Sequence, residues 1–354
     1  MVVLHIAKIW NSSCSGVDVV VPQHVTSQSR ICDCSLYNIS ENRIDADLKQ
    51  LFLNGDFDIK KFASPFNHPD VVVFHEIYHK EYIKIYKNLL KNKIRYVIVP
   101  HSQLTRDAQK RKRLKKIVAN ILLFDSFIKH ASGIHFLSNY ELSNSKHRNN
   151  SFVVPNGMFD KQNKKTFHQT HLRFRYIGRL ESYQKGLDIL IEAISMVHDD
   201  IIDSGAKFDI YGPDIKGRFL KVQQLITKHN VADVVSLHHE VTGEEKKTIL
   251  LETDFFIQTS RFEGMPMGIL EALSYGVPCL VSEGTTLSEL IRNYYAGLTS
   301  TNDSRSVADM IRNALKDKCL EEESRNAHSL IREVFEWDNV SSRCLEHYMK
   351  ITDD

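Results

Sequence analysis

Two glutamates eight residues apart, Glu263 and Glu271, bracket a stretch of backbone suited to holding an anion. The stretch reads Thr259-Ser-Arg-Phe-Glu-Gly-Met-Pro-Met-Gly-Ile-Leu-Glu-Ala-Leu-Ser-Tyr-Gly-Val-Pro278. The apolar run Asp254-Phe-Phe-Ile-Gln258 predicts a buried strand, Pro266 suits the first position of a helix, and Gly276 with Pro278 ends that helix. A strand therefore feeds a helix. The backbone from Gly264 through Met265, Pro266 and Met267 to Gly268 then presents N–H groups with no partner inside the helix, and the helix dipole adds positive character. Glu263 precedes this cradle and Glu271 lies more than a turn inside the helix. Together they can flank a diphosphate and grip hydroxyls on either side, which suits a nucleotide sugar.

A second anion-binding pattern lies upstream. Tyr176-Ile-Gly-Arg-Leu180 and Gln184-Lys-Gly-Leu-Asp188 place two cations, Arg179 and Lys185, just beyond another apolar run. Each pattern follows the C-terminal end of a strand, where open α/β sheets bind ligands. With the added motifs Val154-Pro-Asn-Gly157 and Phe335-Glu-Trp337, the chain resembles the retaining, nucleotide-sugar-dependent glycosyltransferases of family 4, in particular bacterial O-antigen and capsule transferases. The resemblance covers the C-terminal half well and the N-terminal half more loosely, through Cys14-Ser-Gly-Val17 and Val99-Pro-His-Ser102. It implies an α/β GT-B fold: two facing Rossmann-like domains with parallel sheets, and a last helix crossing back to the first domain. It also implies roles. Arg179 and Lys185 hold the donor diphosphate, Glu263 the sugar hydroxyls and Glu271 the ribose. Gly16 lets a loop approach the phosphates, and His101 reaches the sugar. Ser102 stands where that family often has glycine.

Length agrees with two domains, since 354 residues exceed a usual single core. The division expected is an acceptor-binding domain, residues 1–160 completed by about 337–354, and a nucleotide-sugar-binding domain, residues 161–336. The polar stretch from Asp160 to Gln169 lacks periodicity and reads as the linker. Strands are predicted at Val2 to Ile9, Val71 to Phe74, Tyr96 to Val99, Ile134 to Leu137 and Phe152 to Val154. A second set is predicted at Phe174 to Ile177, Phe208 to Tyr211, Val234 to Leu237, Phe255 to Gln258 and Pro278 to Ser282.

A hydrophobic content of 42% and a charged content of 25% describe an ordinary globular chain, and no apolar stretch is long enough to span a bilayer. Met1 opens directly into strand-like sequence, so no export signal is expected. The six cysteines lack zinc-ribbon spacing, and Cys32-Asp-Cys34 reads as strand packing in a cytoplasmic, reduced chain. Net charge is +2, but residues 1–160 carry an excess of eight cations and the remainder an excess of six anions. The densest run contains Lys110, Arg111, Lys112, Arg113, Lys115 and Lys116. It is either a solvated helix face or a dock for an anionic membrane surface. No stacking aromatics accompany it, so nucleic acid is not the expected partner.

Other carboxylate and histidine patterns compete with this reading. His75-Glu-Ile-Tyr-His79 has the form of a zinc-protease motif, but His75 directly follows a strand, where a cleft-lining His and Glu are expected instead. Asp45-Ala-Asp47 and Asp56-Phe-Asp58 have the form that holds a divalent cation under a diphosphate, yet neither follows a convincing strand. No metal and no cofactor beyond the donor are therefore expected, the cations taking the metal's place. Tyr211-Gly-Pro-Asp214 and His238-His-Glu240 end strands near where the base should sit. The expected reaction moves a hexose or N-acetylhexosamine, with a UDP-sugar favoured and GDP-mannose open, to a polyprenyl-diphosphate-linked oligosaccharide. A glycosidase would have no use for a phosphate cradle between its carboxyls, and a nucleotide-sugar sensor would keep the pocket without turnover.

Overall fold

Thirteen strands lie in two parallel sheets in a computed structural model that describes residues 1–10, 16–110, 119–148, 150–167 and 171–353. Residues Met1–Gly157 with Trp337–Asp354 make one compact unit and Met158–Glu336 another. The first unit holds β1 (Val2–Ala7), β2 (Asp33–Asn38), β3 (Gln50–Leu51), β4 (Val71–His75), β5 (Arg95–Val99), β6 (Gly133–Phe136) and β7 (Ser151–Val153). They lie in the order β3-β2-β1-β4-β5-β6-β7. The second holds β8 (Arg173–Ile177), β9 (Lys207–Tyr211), β10 (Val235–His238), β11 (Phe255–Gln258), β12 (Cys279–Ser282) and β13 (Gly297–Ser300), in the order β10-β9-β8-β11-β12-β13. Strand order reverses between β1 and β4 in one sheet and between β8 and β11 in the other. Those two switch points are where a doubly wound sheet opens a crevice at its C-terminal edge.

Burial explains the strand sequences. Every residue of β4, Val-Val-Val-Phe-His, is buried, as expected for a parallel strand covered on both faces. Leu4, Ile6, Val72, Phe74, Tyr96 and Ile98 share a core with Tyr82 and Phe127. The alternate positions of the same strands carry His5 and His75, which meet His24 of the first helix, Gly16–Gln28. The sequence reading missed β3 and β13 and reached β2 only through its cysteines. Both missed strands are short, and β13, Gly-Leu-Thr-Ser, lacks the apolar run that marks its neighbours.

The last helix, Trp337–Asp353, belongs to the first unit and packs on the first helix. Its first residue is its anchor: the buried Trp337 indole stacks on His24 at 5.3 Å and donates from Nε1 to Gln23 Oε1 at 3.2 Å. A Cβ on Gly157 would lie 2.2 Å from that indole, so the Pro-Asn-Gly and aromatic-Trp motifs are two halves of one contact. The boundary falls before Met158, whose N–H donates to Phe335 O at 2.7 Å within the second unit. Asp160, the first residue of the stretch read as the linker, is tied into the second unit. Its carboxylate is buried and takes His328 Nδ1 at 2.5 Å and Arg332 at 3.1 Å, while Lys165 Nζ donates to Leu251 O at 2.7 Å. Unpaired, a carboxylate at such depth would cost several kcal/mol. Part of that predicted stretch, residues 168 and 169, lies outside the described residues.

Candidate functional site

Two loops at the β8/β11 switch point are tied to each other by a glycine. Gly186 adopts φ +65°, and a Cβ there would fall 1.8 Å from Thr259 O. Thr259 Oγ1 in turn donates to Gly186 O at 2.8 Å. Arg261 reinforces the junction through a bidentate pair with Asp188 at 2.7 and 2.8 Å, and its guanidinium lies over the Tyr183 ring at 4.4 Å. Replacing Gly186 by alanine is expected to cost at least about 2 kcal/mol of stability, since both the dihedral and the close approach exclude a side chain. Urea denaturation of the variant checks this, and a loss under about 0.5 kcal/mol would contradict it.

That junction brings the two anion-binding patterns together. Lys185 Nζ lies 2.5 Å from Glu263 Oε1, with both side chains largely buried. The same carboxylate oxygen accepts from Ser260 Oγ at 2.9 Å and Gln258 Nε2 at 3.3 Å. Three donors on one oxygen hold the Glu263 carboxylate in a single orientation and offset the cost of burying it. The sequence reading assigned Lys185 to the diphosphate and Glu263 to the sugar. The two are in direct contact, so each orients the other. Glu271, on the helix Met267–Ser274, is ion-paired with Lys246 of the helix Gly243–Leu251. Arg179 is exposed, and its carbonyl accepts from Tyr176 Oη at 2.7 Å, which fixes the turn after β8.

The helix head differs from the sequence expectation by one residue. Pro266 is the N-cap, with a non-helical ψ of 86°, and the helix starts at Met267. Met267 N–H bonds Met265 O at 3.1 Å, so that donor is partly spent. Among the described residues, Gly264 N–H and Met265 N–H have no protein acceptor, and these two begin the cradle. Gly268 serves packing: a Cβ there would sit 3.3 Å from Ile177 O, which keeps the helix close to β8. At the ends of β9 and β10, Tyr211 stacks on His238 at 4.5 Å, and His238 Nε2 bonds Asp209 Oδ1 at 3.1 Å. The two strand-end segments singled out for the base thus touch.

In the first unit, Gly16 is the exposed first residue of the first helix, and a Cβ there would meet nothing among the described residues. The loop before it, residues 11–15, lies outside the described residues. His101 follows β5 with φ +44°, and Ser102 with φ +66°, a region that favours glycine and costs a serine about 1 kcal/mol or more. Ser102 Oγ donates to the buried Glu141 carboxylate, which also accepts from Leu137 N–H at 3.0 Å. That bond engages the serine that stands where the resembled family often has glycine. His75 and His79 share no helix. His75 is the buried last residue of β4, Glu76 turns away with φ +68° and bonds His79 at 2.9 Å, and the next helix begins at Glu81. Asp58 caps a short helical turn and Asp56 pairs with Lys84 at 3.3 Å, both as turn residues. The basic run lies outside the described residues except Lys110, the last residue of a short helix. Sequence reasoning missed Arg261, Ser260, Gln258 and Lys246, whose only signal was their place inside or beside the motifs.

Residues 158–331 match the family of glycosyl transferases group 1. The GPI3 subunit of phosphatidylinositol N-acetylglucosaminyltransferase of Saccharomyces cerevisiae is 27% identical over 182 residues, half of this chain and 38% of that protein. The UDP-Gal:alpha-D-GlcNAc-diphosphoundecaprenol alpha-1,3-galactosyltransferase of Escherichia coli is 38% identical over 84 residues, 23% of this chain and 22% of that one. The chain thus spans well under two thirds of the curated relatives it matches. Anabaena HepE, solved in complex with UDP and glucose, superposes with a TM-score of 0.72 at 14% identity, covering 99% of this chain and 100% of that one. Sucrose-phosphate synthase of Thermosynechococcus elongatus gives 0.71 at 13% identity over the whole of both chains. At these identities the likeness shows the fold. Residues 158–331, within the second unit, are thus similar to the glycosyl transferases group 1, and the two parallel sheets have the GT-B architecture.

Proposed function

We propose that the chain is a retaining glycosyltransferase that moves a hexose or N-acetylhexosamine from a UDP-sugar to a hydroxyl of a lipid-linked oligosaccharide in bacterial surface-polysaccharide synthesis. The observation that carries this reading is the buried Lys185–Glu263 pair at the mouth of the β8/β11 switch point, beside the head of the helix Met267–Ser274. Breaking the anomeric bond builds negative charge on the departing phosphate and oxocarbenium character on the sugar. Arg179, Lys185 and the helix N-terminus answer the first as preorganised electrostatic partners. Glu263, oriented by Ser260 and Gln258, holds sugar hydroxyls; Glu271 holds the ribose, and His101 reaches the sugar. The Escherichia coli relative's named donor and acceptor, and the nucleotide in the HepE complex, support a UDP-sugar and a polyprenyl-diphosphate acceptor.

The test is transfer of a radiolabelled sugar from UDP-glucose, UDP-galactose, UDP-N-acetylhexosamines and GDP-mannose to a soluble polyprenyl-diphosphate analogue. Product from a UDP-sugar supports the reading, and product from GDP-mannose alone replaces the donor. Binding without product makes the chain a nucleotide-sugar sensor. Transfer is expected to survive EDTA, because Arg179, Lys185 and the helix dipole supply the charge a divalent ion would bring. Abolition by chelator with rescue by Mg²⁺ or Mn²⁺ would overturn that.

The acceptor would place the enzyme at a membrane face, and the run of Lys110, Arg111, Lys112, Arg113, Lys115 and Lys116 supports peripheral docking on anionic lipid. No helix of the described residues is long and apolar enough to cross a membrane. Replacing four of these cations by glutamine is expected to abolish binding to anionic liposomes, at about 1 kcal/mol per charge, while a soluble acceptor is still glycosylated. Unchanged liposome binding by that variant would remove the dock.

A further inference from the structure

A chain of hydrogen bonds crosses the first sheet at its switch point and ends on His101. Gln28, last residue of the first helix, accepts at Oε1 from His5 Nε2 at 2.8 Å. His5, in the middle of β1, faces His75 at the end of β4, with Nδ1 and Nε2 2.8 Å apart. His75 Nδ1 lies 3.1 Å from His101 Nε2, beyond the end of β5. The strands β1, β4 and β5 are consecutive neighbours in the sheet, so the relay runs straight across three of them.

The chemistry of the groups gives this chain one direction. An amide oxygen only accepts, so His5 carries its proton on Nε2 and offers a lone pair at Nδ1. His75 must then donate from Nε2, which leaves its Nδ1 to accept from His101 Nε2. The amide itself is oriented from two sides. Gln28 Nε2 donates to His24 Nε2 at 2.9 Å, and the Cys34 thiol points at Gln28 Oε1 from 3.8 Å. His24 is in turn clamped on Trp337. Burial keeps the rings neutral, with His5 and His101 held down to about 4 and His75 well below the ordinary value.

A metal centre does not suit the same rings. His5, His24 and His75 offer ligand atoms within 4.8 Å of one another. Two nitrogens sharing a tetrahedral zinc at 2.0–2.1 Å stand about 3.3 Å apart, whereas His5 and His75 approach to 2.8 Å, the length of a hydrogen bond.

We propose that His75 and His5 are positioning residues, a proton-ordered relay from Gln28 that holds His101 as its Nε2–H tautomer and turns the His101 Nδ1 lone pair outward as an acceptor for a ligand hydroxyl. Among the described residues, His101 Nδ1 has no protein partner, and the residue is partly exposed. The relay itself stands on geometry. Its consequence for transfer rests on the reading of His101 as a sugar contact.

Nitrogen-15 NMR of histidine-labelled protein reads the tautomers directly. The expected pattern is pyrrole-type Nε2 and pyridine-type Nδ1 at His5, His75 and His101, and the reverse at His24, with signals assigned by single substitutions. Pyrrole-type Nδ1 at His101, mixed tautomers along the chain, or one equivalent of bound zinc by elemental analysis would overturn the relay. The kinetic arm compares His75→Phe, which removes the acceptor for His101, with His75→Asn, whose amide oxygen restores one near the position of Nδ1. His75→Phe is expected to lower kcat at least tenfold with KM for the donor changed less than threefold, and His75→Asn to recover most of the loss. Equal defects in both variants would make His75 merely structural and defeat the positioning claim. The expected tautomers with unchanged kcat in His75→Phe would leave the relay standing and remove His101 from the sugar.

Discussion

Lys185→Ala is expected to lower turnover by about a hundredfold or more and to destabilise the second unit at the same time. The first effect is the scale of losing one preorganised donor to a developing oxyanion. The second follows from the pairing. Lys185 and Glu263 are both largely buried, and removing one partner of a buried pair leaves an uncompensated charge at a cost of about 3–5 kcal/mol. The two effects are separable. In the double variant Lys185→Met with Glu263→Gln, both charges go, so stability is expected to return towards wild type while turnover stays low. Denaturation midpoints and single-turnover transfer rates measure the two. Near-normal turnover in Lys185→Ala would take Lys185 out of the diphosphate site, and failure of the double variant to regain stability would show that the pair is not what stabilises the junction.

The first unit is expected to lose stability steeply as pH falls from about 6.5 towards 4. His5 is held down to about 4 and His135 to about 3, in both cases chiefly by burial; His24 and His75 are also held well below the ordinary value, by burial and by their neighbouring histidines. The unfolded chain takes up these protons near pH 6.5 and the native unit does not, so the unfolded state holds more protons across the window. Stability therefore falls as pH falls. Each pKa unit is worth about 1.4 kcal/mol, so His5 alone removes on the order of 3 kcal/mol by pH 4. Two such histidines consume much of a total stability of about 5–15 kcal/mol. The second unit works the other way at one site: burial raises Glu323 to about 8, so its contribution is lost as pH rises. Both tryptophans, Trp10 and Trp337, lie in the first unit, so tryptophan fluorescence in urea reads that unit directly. A urea midpoint unchanged between pH 7 and 5 would contradict the prediction.

The local chemistry of the chain was legible in its residues. Apolar runs such as Val71 to Phe74 and Phe255 to Gln258 mark buried parallel strands because both faces of each are covered, and periodicity records that directly. Gly276 at φ +68° ends its helix as its position implies, and the motifs around Arg179, Lys185, Glu263 and Trp337 carried the family. Strand order and partnership were not legible. Lys185 meets Glu263 across 78 residues of chain and Arg261 meets Asp188 across 73, because β8 and β11 became neighbours at the switch point, and Lys246 meets Glu271 across 25 because their helices flank β11. Which cation meets which carboxylate is decided by loop geometry, and no local pattern encodes it.

His5, His24, His75 and His101 are scattered over almost a hundred residues, and no single motif joins them. Period-two alternation says only that His5 and His75 face away from Leu4 and Phe74. Parallel register sets His5 opposite Val73 and so aligns it with His75, two residues along the same face. A hydrogen-bonded relay needs that alignment to a few tenths of an ångström, and only the assembled sheet and the two helices packed on it supply it.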